Sequence, residues 1–278
     1  GGAVAFWVLA TAFLQAVAQW AGTGERTGAL RDALMQREDV ASTEPETTVR
    51  ESTAHANVTT NTFLLEAHSL SFGYNRARPP VIDAVSLTLA DGDETGILAL
   101  PGSGASTLVR LLTGMQEPWH GRVLLQGEPI RALPSEARAL ALVTRDDFLF
   151  EGTVRNNVCL WDERVSDATL AAALEDACIA DVLANRKGGH LHCVAPDGSN
   201  FSGGERQRLL LARALVRAPR VLILDNALDL LDINLEAEVR IRLRQRGCTT
   251  LIVSQRPETI EACRSVLVLS QGRLSRQV

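Results

Sequence analysis

The sequence lacks an excess of basic residues: 28 Lys and Arg stand against 33 Asp and Glu, for a net charge of −5 and a pI near 5.6. A nucleic-acid partner is held largely by neutralising phosphates, so the charge argues against that class of function. Metal-ligand spacing is missing as well. Cys159, Cys178, Cys193, Cys248 and Cys263 form no CxxC pair, and no His stands at ligand spacing, so lone buried thiols in a reducing compartment are expected. No internal repeat or low-complexity tract is visible, and aromatic residues make up only 4%. Charge is absent from Gly1 to Gly22, where Ala3–Ala21 is apolar apart from two glutamines and a threonine. That run approaches the ~20 residues that cross a bilayer. No basic region precedes it and no small-residue cleavage site ends it, which disfavours a signal peptide. Residues 1–22 are therefore expected to form a transmembrane or membrane-associated helix, with a buried or interfacial helix as the alternative because of Gln15 and Gln19. The chain starts at Gly rather than Met, so a longer parent protein is expected.

What is present is enough chain for one large domain and an appendage: 278 residues, 46% of them hydrophobic. Residues 23–61 are polar and read as a helix followed by a solvated linker. Folded character begins at Thr62. Phe63–Tyr74 and Val81–Leu89 alternate with period two, as half-buried antiparallel strands do. Glu94–Leu100 reads as a short strand before Pro101-Gly102, and Ser106–Thr113 as a helix. Ala139–Val143 reads as a buried strand. Asp167–Ala184 and Leu209–Val216 are helical by apolar spacing. Val221–Leu224 and Thr250–Val253 are continuous apolar runs, the pattern of a parallel sheet covered on both faces. Strands alternating with helices predict βαβ construction behind an antiparallel front.

Two segments carry chemistry. Gly96–Thr107 has the strand, glycine turn and helix start of a phosphate-binding loop, in which backbone N–H groups and a helix dipole cradle anions. Gly102 and Gly104 supply the turn, and Ser106 stands where a hydroxyl ligates Mg²⁺. The pattern G-x-x-x-x-G-K-[ST] is nevertheless broken, with Ala99 at the first glycine and Ala105 at the lysine. The second segment, Ser202-Gly203-Gly204-Glu205 opening a helix, is another anion-binding N-terminus, although Ser also caps ordinary surface helices. Asp225 ends the apolar strand 221–224, the place for a Mg²⁺ partner beside such a loop.

In that order, these elements resemble the nucleotide-binding domain of ATP-binding-cassette (ABC) transporters, especially exporters, over Phe63–Leu274. Ser202–Arg208 followed by Leu211–Arg217 resembles the signature motif. Ser71-Phe72-Gly73-Tyr74 resembles the A-loop, Phe148–Val154 the exporter segment after the Q-loop, Leu222–Asn226 Walker B, and Leu228–Asp232 the D-loop. The resemblance implies an α/β P-loop NTPase-like fold: a mostly parallel core sheet, an N-terminal antiparallel section and a helical subdomain bearing the signature. It places this domain at 62–278. It also implies ATP and Mg²⁺ as cofactors, with Tyr74 stacking on adenine, residues 102–107 (Gly102, Ser103, Gly104, Ala105, Ser106, Thr107) around the phosphates, and Ser106 and Asp225 toward the metal.

Four departures bear on catalysis. Ala105 replaces the lysine that contacts the β/γ-phosphates, and Asn226 the glutamate that orients water. Gln255 replaces the γ-phosphate-sensing histidine. Arg145 replaces the Q-loop glutamine, where a cation is expected to repel Mg²⁺. The X-loop stretch His192–Gly198 has Pro196 in place of a glutamate. Within the signature, Phe201 and Glu205 replace leucine and glutamine. In the family, two domains pair head to tail and each ATP lies between one P-loop and the other's signature. The expectation is therefore a non-hydrolysing domain at the cytoplasmic face of the membrane. It would lend Ser202, Gly203, Gly204 and Glu205 to a second nucleotide-binding domain, in a heterodimer or a homodimer, and couple to transmembrane domains. The alternatives are an active ATPase using Arg145 or a neighbouring basic group in place of the lysine, and an interaction scaffold outside transport.

Overall fold

In the computed structural model, residues 63–134 and 137–276 are described, so the expected segments 1–22 and 23–61 lie outside the described residues. Period-two alternation does become antiparallel pairing. β1 (Phe63–Phe72) and β2 (Ile82–Ala90) run from Phe63 opposite Ala90 to Phe72 opposite Ile82, with one apolar face turned inward. β3 (Glu94–Ala99) leads through a glycine turn into α1 (Ala105–Leu112). β4 (His120–Leu125) then pairs with the other edge of β1 and is extended by β5 (Glu128–Pro129). The exposed start of β4, His120-Gly121-Arg122, hides this strand from a hydrophobic period.

Beyond these lie β6 (Leu140–Thr144), β7 (Gly152–Thr153), α2 (Val154–Cys159), α3 (Asp167–Asp176) and α4 (Ala180–Ala184). β8 (Cys193–Val194), α5 (Gly203–Leu215), β9 (Val221–Asp225), α6 (Ile233–Gln245) and β10 (Thr249–Ser254) come next. α7 (Pro257–Glu261), β11 (Ser265–Ser270) and β12 (Arg273–Arg276) complete the order. The helix expected over Asp167–Ala184 is two helices. Ala177 ends α3, Cys178 takes φ 53°, and Ile179 N–H bonds the Leu174 carbonyl at 3.0 Å, so a left-handed cap closes the first helix without a glycine.

The second sheet runs β12-β11-β3-β10-β9-β6, parallel except for β12. β9 is buried along its length and divides its side chains between two cores. Val221 and Ile223 join β1, β2, β4 and α1, whereas Leu222 and Leu224 join the helical cluster around α5. Because β3, β6, β9 and β10 are parallel and in register, with Val253 and Thr144 both opposite Asp225, all four strands end at one edge. Open parallel sheets bind ligands at that edge. Of the cysteines, Cys159, Cys248 and Cys263 are buried as expected, but Cys178 is half-buried and Cys193 exposed. Among the described residues no helix is long and apolar enough to cross a membrane.

Candidate functional site

Ala99 ends β3, and residues 100–104 turn the chain into α1. The turn works because Gly102 and Gly104 take φ 76° and 94°. A Cβ on Gly104 would also come within 3.0 Å of the Val81 carbonyl oxygen, so glycine is needed there on two counts. Gly104 caps α1 without a side-chain bond, so the cap itself leaves the helix's first N–H groups open. Residues 99–102 and 104–107 line a cleft of about 310 Å³ with Val81, Asn226 and Gln255. Ser103 does not line it. Its carbonyl accepts the Gly272 N–H at 3.1 Å, and its Oγ is buried with no hydrogen-bond partner among the described residues.

Asp225 is buried at the end of β9 and accepts the Asn226 side-chain amide at 2.8 Å. Burial pushes its carboxyl above the ordinary value, and Asp146 and Asp229 add to this; the Asn226 bond and the charge of Arg110 pull the other way. Tyr74 is 64% exposed, its hydroxyl 3.1 Å from Thr107 Oγ1 and its ring edge-on to Phe72 at 5.3 Å.

At the other site segment, Ser202 N-caps α5 through a reciprocal box. Ser202 Oγ accepts the Glu205 N–H at 3.3 Å, and Glu205 Oε2 accepts the Ser202 N–H at 2.8 Å. Ser202 remains exposed, so its hydroxyl proton is available to a ligand. Leu230 and Leu231 pack against this turn.

A model of the ABC transporter family matches residues 82–229, just over half of the chain. The chain belongs to the ABC transporter family. It is 33% identical over 205 residues to the colicin V secretion/processing ATP-binding protein CvaB of Escherichia coli, spanning 73% of this chain and 29% of that protein. It is 36% identical over 214 residues to the mycobactin import ATP-binding/permease protein IrtB of Mycobacterium tuberculosis, spanning 76% of this chain and 37% of that protein. A bacterial Atm1-family ABC exporter solved with ATP bound superposes with a TM-score of 0.75 at 32% identity, covering 90% of this chain and 44% of that one. The chain thus spans about a third of the length of the curated relatives it matches.

Three of the four positions singled out in the sequence meet in one cleft. Ala105, Asn226 and Gln255 share the cleft with Ser106 and Thr107. Arg145 does not join them. Asp147 Oδ2 accepts the Thr144 N–H at 2.9 Å and turns the chain outward, so the Arg145 side chain is exposed. Only the backbone of Arg145 meets Asp225, its N–H bonding the carbonyl at 3.1 Å. The cation bearing on Asp225 is Arg110, which motif reading missed. Its Nη1 reaches the Tyr74 hydroxyl at 3.4 Å.

Glu205 is tied into the turn: the Ser202 N–H and Arg186 Nη2 (2.9 Å) both bond its Oε2. In the D-loop, Asp232 caps α6 through the N–H groups of Asn234 and Leu235, while Asp229 accepts the Ser254 hydroxyl at 2.7 Å.

Proposed function

We propose that this domain serves an exporter-type transporter, binds nucleotide weakly at its own phosphate loop without hydrolysing it, and completes a partner domain's ATP site with its signature turn. The observation that supports this best is the content of the loop cleft. Where hydrolysis needs a cation, a base and a phosphate sensor, the cleft offers the Ala105 methyl group and the neutral amides of Asn226 and Gln255. Phosphoryl transfer depends on positioning and charge stabilisation, and an amide takes no proton at neutral pH.

The residues present fit a nucleotide better than they fit its hydrolysis. The Gly102–Gly104 turn and the uncapped start of α1 suit phosphates, and the exposed Tyr74 ring suits a base. Ser106 and Asp225 would be the donors for Mg²⁺, a cation commonly held by one or two carboxylates, water and phosphate. Bound there, it would neutralise phosphate charge. Asp225 would orient it, and Asn226 would hold Asp225 without activating water.

Coupling to transmembrane domains at the cytoplasmic face of a membrane extends the reading. The names of the relatives join ATP binding to secretion or permease activity. On this chain Phe148, Phe150 and Trp161 form an exposed edge-to-face row at 4.7 and 5.6 Å, with exposed Leu160 beside it, an apolar patch suited to a protein partner. The test is ATP turnover by the chain alone and with its cognate domain. Alone, it should show none. Turnover of ~1 s⁻¹ or more that Asp225→Ala abolishes would overturn the reading.

A further inference from the structure

Two signature departures, Phe201 and Glu205, meet at one side chain that no motif marks. Arg186 follows α4, and its guanidinium lies 4.1 Å from the centre of the Phe201 ring, within cation–π range. Its Nη1 donates to the Asn200 carbonyl at 3.1 Å and its Nη2 to Glu205 Oε2 at 2.9 Å. These contacts bracket Ser202, with Asn200 and Phe201 before it and Glu205 after it. Both members of the ion pair are mostly shielded, with side-chain exposures of 24% for Arg186 and 18% for Glu205. Exposed pairs contribute little, but a shielded one tied to an aromatic face and a helix cap holds its geometry.

The position of the charge makes the pair informative. Burial alone would raise the Glu205 carboxyl, but its bond from the Ser202 N–H and the Arg186 charge outweigh this, so it titrates below the usual value and stays ionised. A carboxylate in the first turn of α5 favours the helix dipole, yet the same turn is the one expected to face phosphate. A bare carboxylate there would repel that anion. A glutamine could make the same cap without the charge.

We propose that Arg186 is a positioning residue of the signature turn: it clamps residues 200–205 and neutralises Glu205, so that the Ser202 hydroxyl and the N–H groups of Gly203 and Gly204 can donate to the phosphate of a nucleotide held by a second domain. The inference rests on the composite-site reading above. Phe201 and Glu205 are then one coupled change, with the ring supplying the platform and the carboxylate the tether for the same guanidinium.

Two measurements test this. In the 278-residue chain alone, Arg186→Leu should speed amide hydrogen exchange at residues 203–205 by about tenfold, with the domain's melting transition unchanged. In the complex with the cognate domain, Arg186→Leu should raise the KM for Mg-ATP by about tenfold and lower kcat less. Adding Glu205→Gln should return KM toward the starting value, which loss of packing alone would not allow. Unchanged exchange in Arg186→Leu, or no rescue by Glu205→Gln, would overturn the proposal. Failure of the composite-site reading looks different. Gly203→Asp would then leave turnover untouched, and the clamp would stand or fall on the exchange measurement.

Discussion

Asn226 donates its side-chain amide to Asp225 Oδ1 at 2.8 Å, closing over the acid at the end of β9. The contact depends on backbone geometry. Asn226 takes φ 53°, a left-handed conformation that Asn tolerates better than most residues, while its N–H continues the ladder to the Val253 carbonyl at 2.8 Å. An amide proton thus occupies one oxygen of the acid, and the residue beside it cannot act as a base.

Asp225 should cost this fold stability at neutral pH. Burial, followed by Asp146 and Asp229, lifts its carboxyl above the ordinary 3.8. A group whose folded pKa is raised contributes fully below its unfolded value and loses that contribution as pH rises through the folded value. Asp225→Asn keeps an oxygen for the Asn226 amide and removes the charge. We expect it to stabilise the domain at about pH 7 by ~1 kcal/mol, or roughly 2–4 °C in Tm, with a smaller gain at about pH 4. Thermal melts at the two pH values check this, and a lower Tm at neutral pH refutes it.

Nucleotide affinity should respond to charge at two positions on α1. A charge-assisted contact contributes ~1.5–3 kcal/mol, so Ala105→Lys should tighten Mg-ATP binding about tenfold or more. Arg110→Ala should loosen it several-fold. Calorimetry on the chain alone gives both values. Micromolar affinity in the unaltered chain, or no gain from Ala105→Lys, contradicts the weak-site reading.

Gly203→Asp should silence ATP turnover in a reconstituted complex while leaving the chain folded. A Cβ there meets only Leu230 Cδ1 at 3.4 Å, ordinary contact within the chain, so the obstruction is expected across the domain interface. A misplacement of about 1 Å can cost ~100-fold in rate. Asn226→Gln in the same complex should change turnover little. Full turnover by the Gly203→Asp complex would favour a scaffold.

Away from the site, Arg240 should be the most damaging ion-pair residue to remove. Arg240 and Glu94 are both buried, and Arg244 Nε also bonds Glu94 at 2.9 Å. Burial would raise the Glu94 carboxyl, but the bonds from Arg244 and Arg240 outweigh it and hold it below 4.5. Its stabilisation is therefore full above the unfolded value and lost as pH falls through the lower folded value. Arg240→Met should cost about 2–3 kcal/mol by leaving the buried Glu94 carboxylate to the half-exposed Arg244 alone, and Glu94→Leu with Arg240→Met should recover part of it. Urea unfolding of the three variants decides this, and an equal loss in the double variant would refute it.

Local pattern and motif order were enough for much of this protein. Alternation at Phe63–Tyr74 and the unbroken apolar run Val221–Leu224 already contain the antiparallel front and a strand covered on both faces, because side-chain period reports burial directly. Ser202 followed three residues later by Glu205 reads as a helix start for the same reason: capping is a short-range hydrogen bond. The absence of a lysine at Ala105 and of a carboxylate at Asn226 is likewise a property of composition. Only the tertiary structure decided which distant side chains meet. It brought Gln255 and Asn226 to the Gly102–Ser106 cleft, since parallel β3, β9 and β10 end at one edge. It turned Arg145 away, brought Arg110 to the Tyr74 hydroxyl, and joined Phe201 to Glu205 through Arg186. Such pairings depend on how packed elements aim side chains separated by up to more than a hundred residues, and periodicity along the chain does not encode that direction.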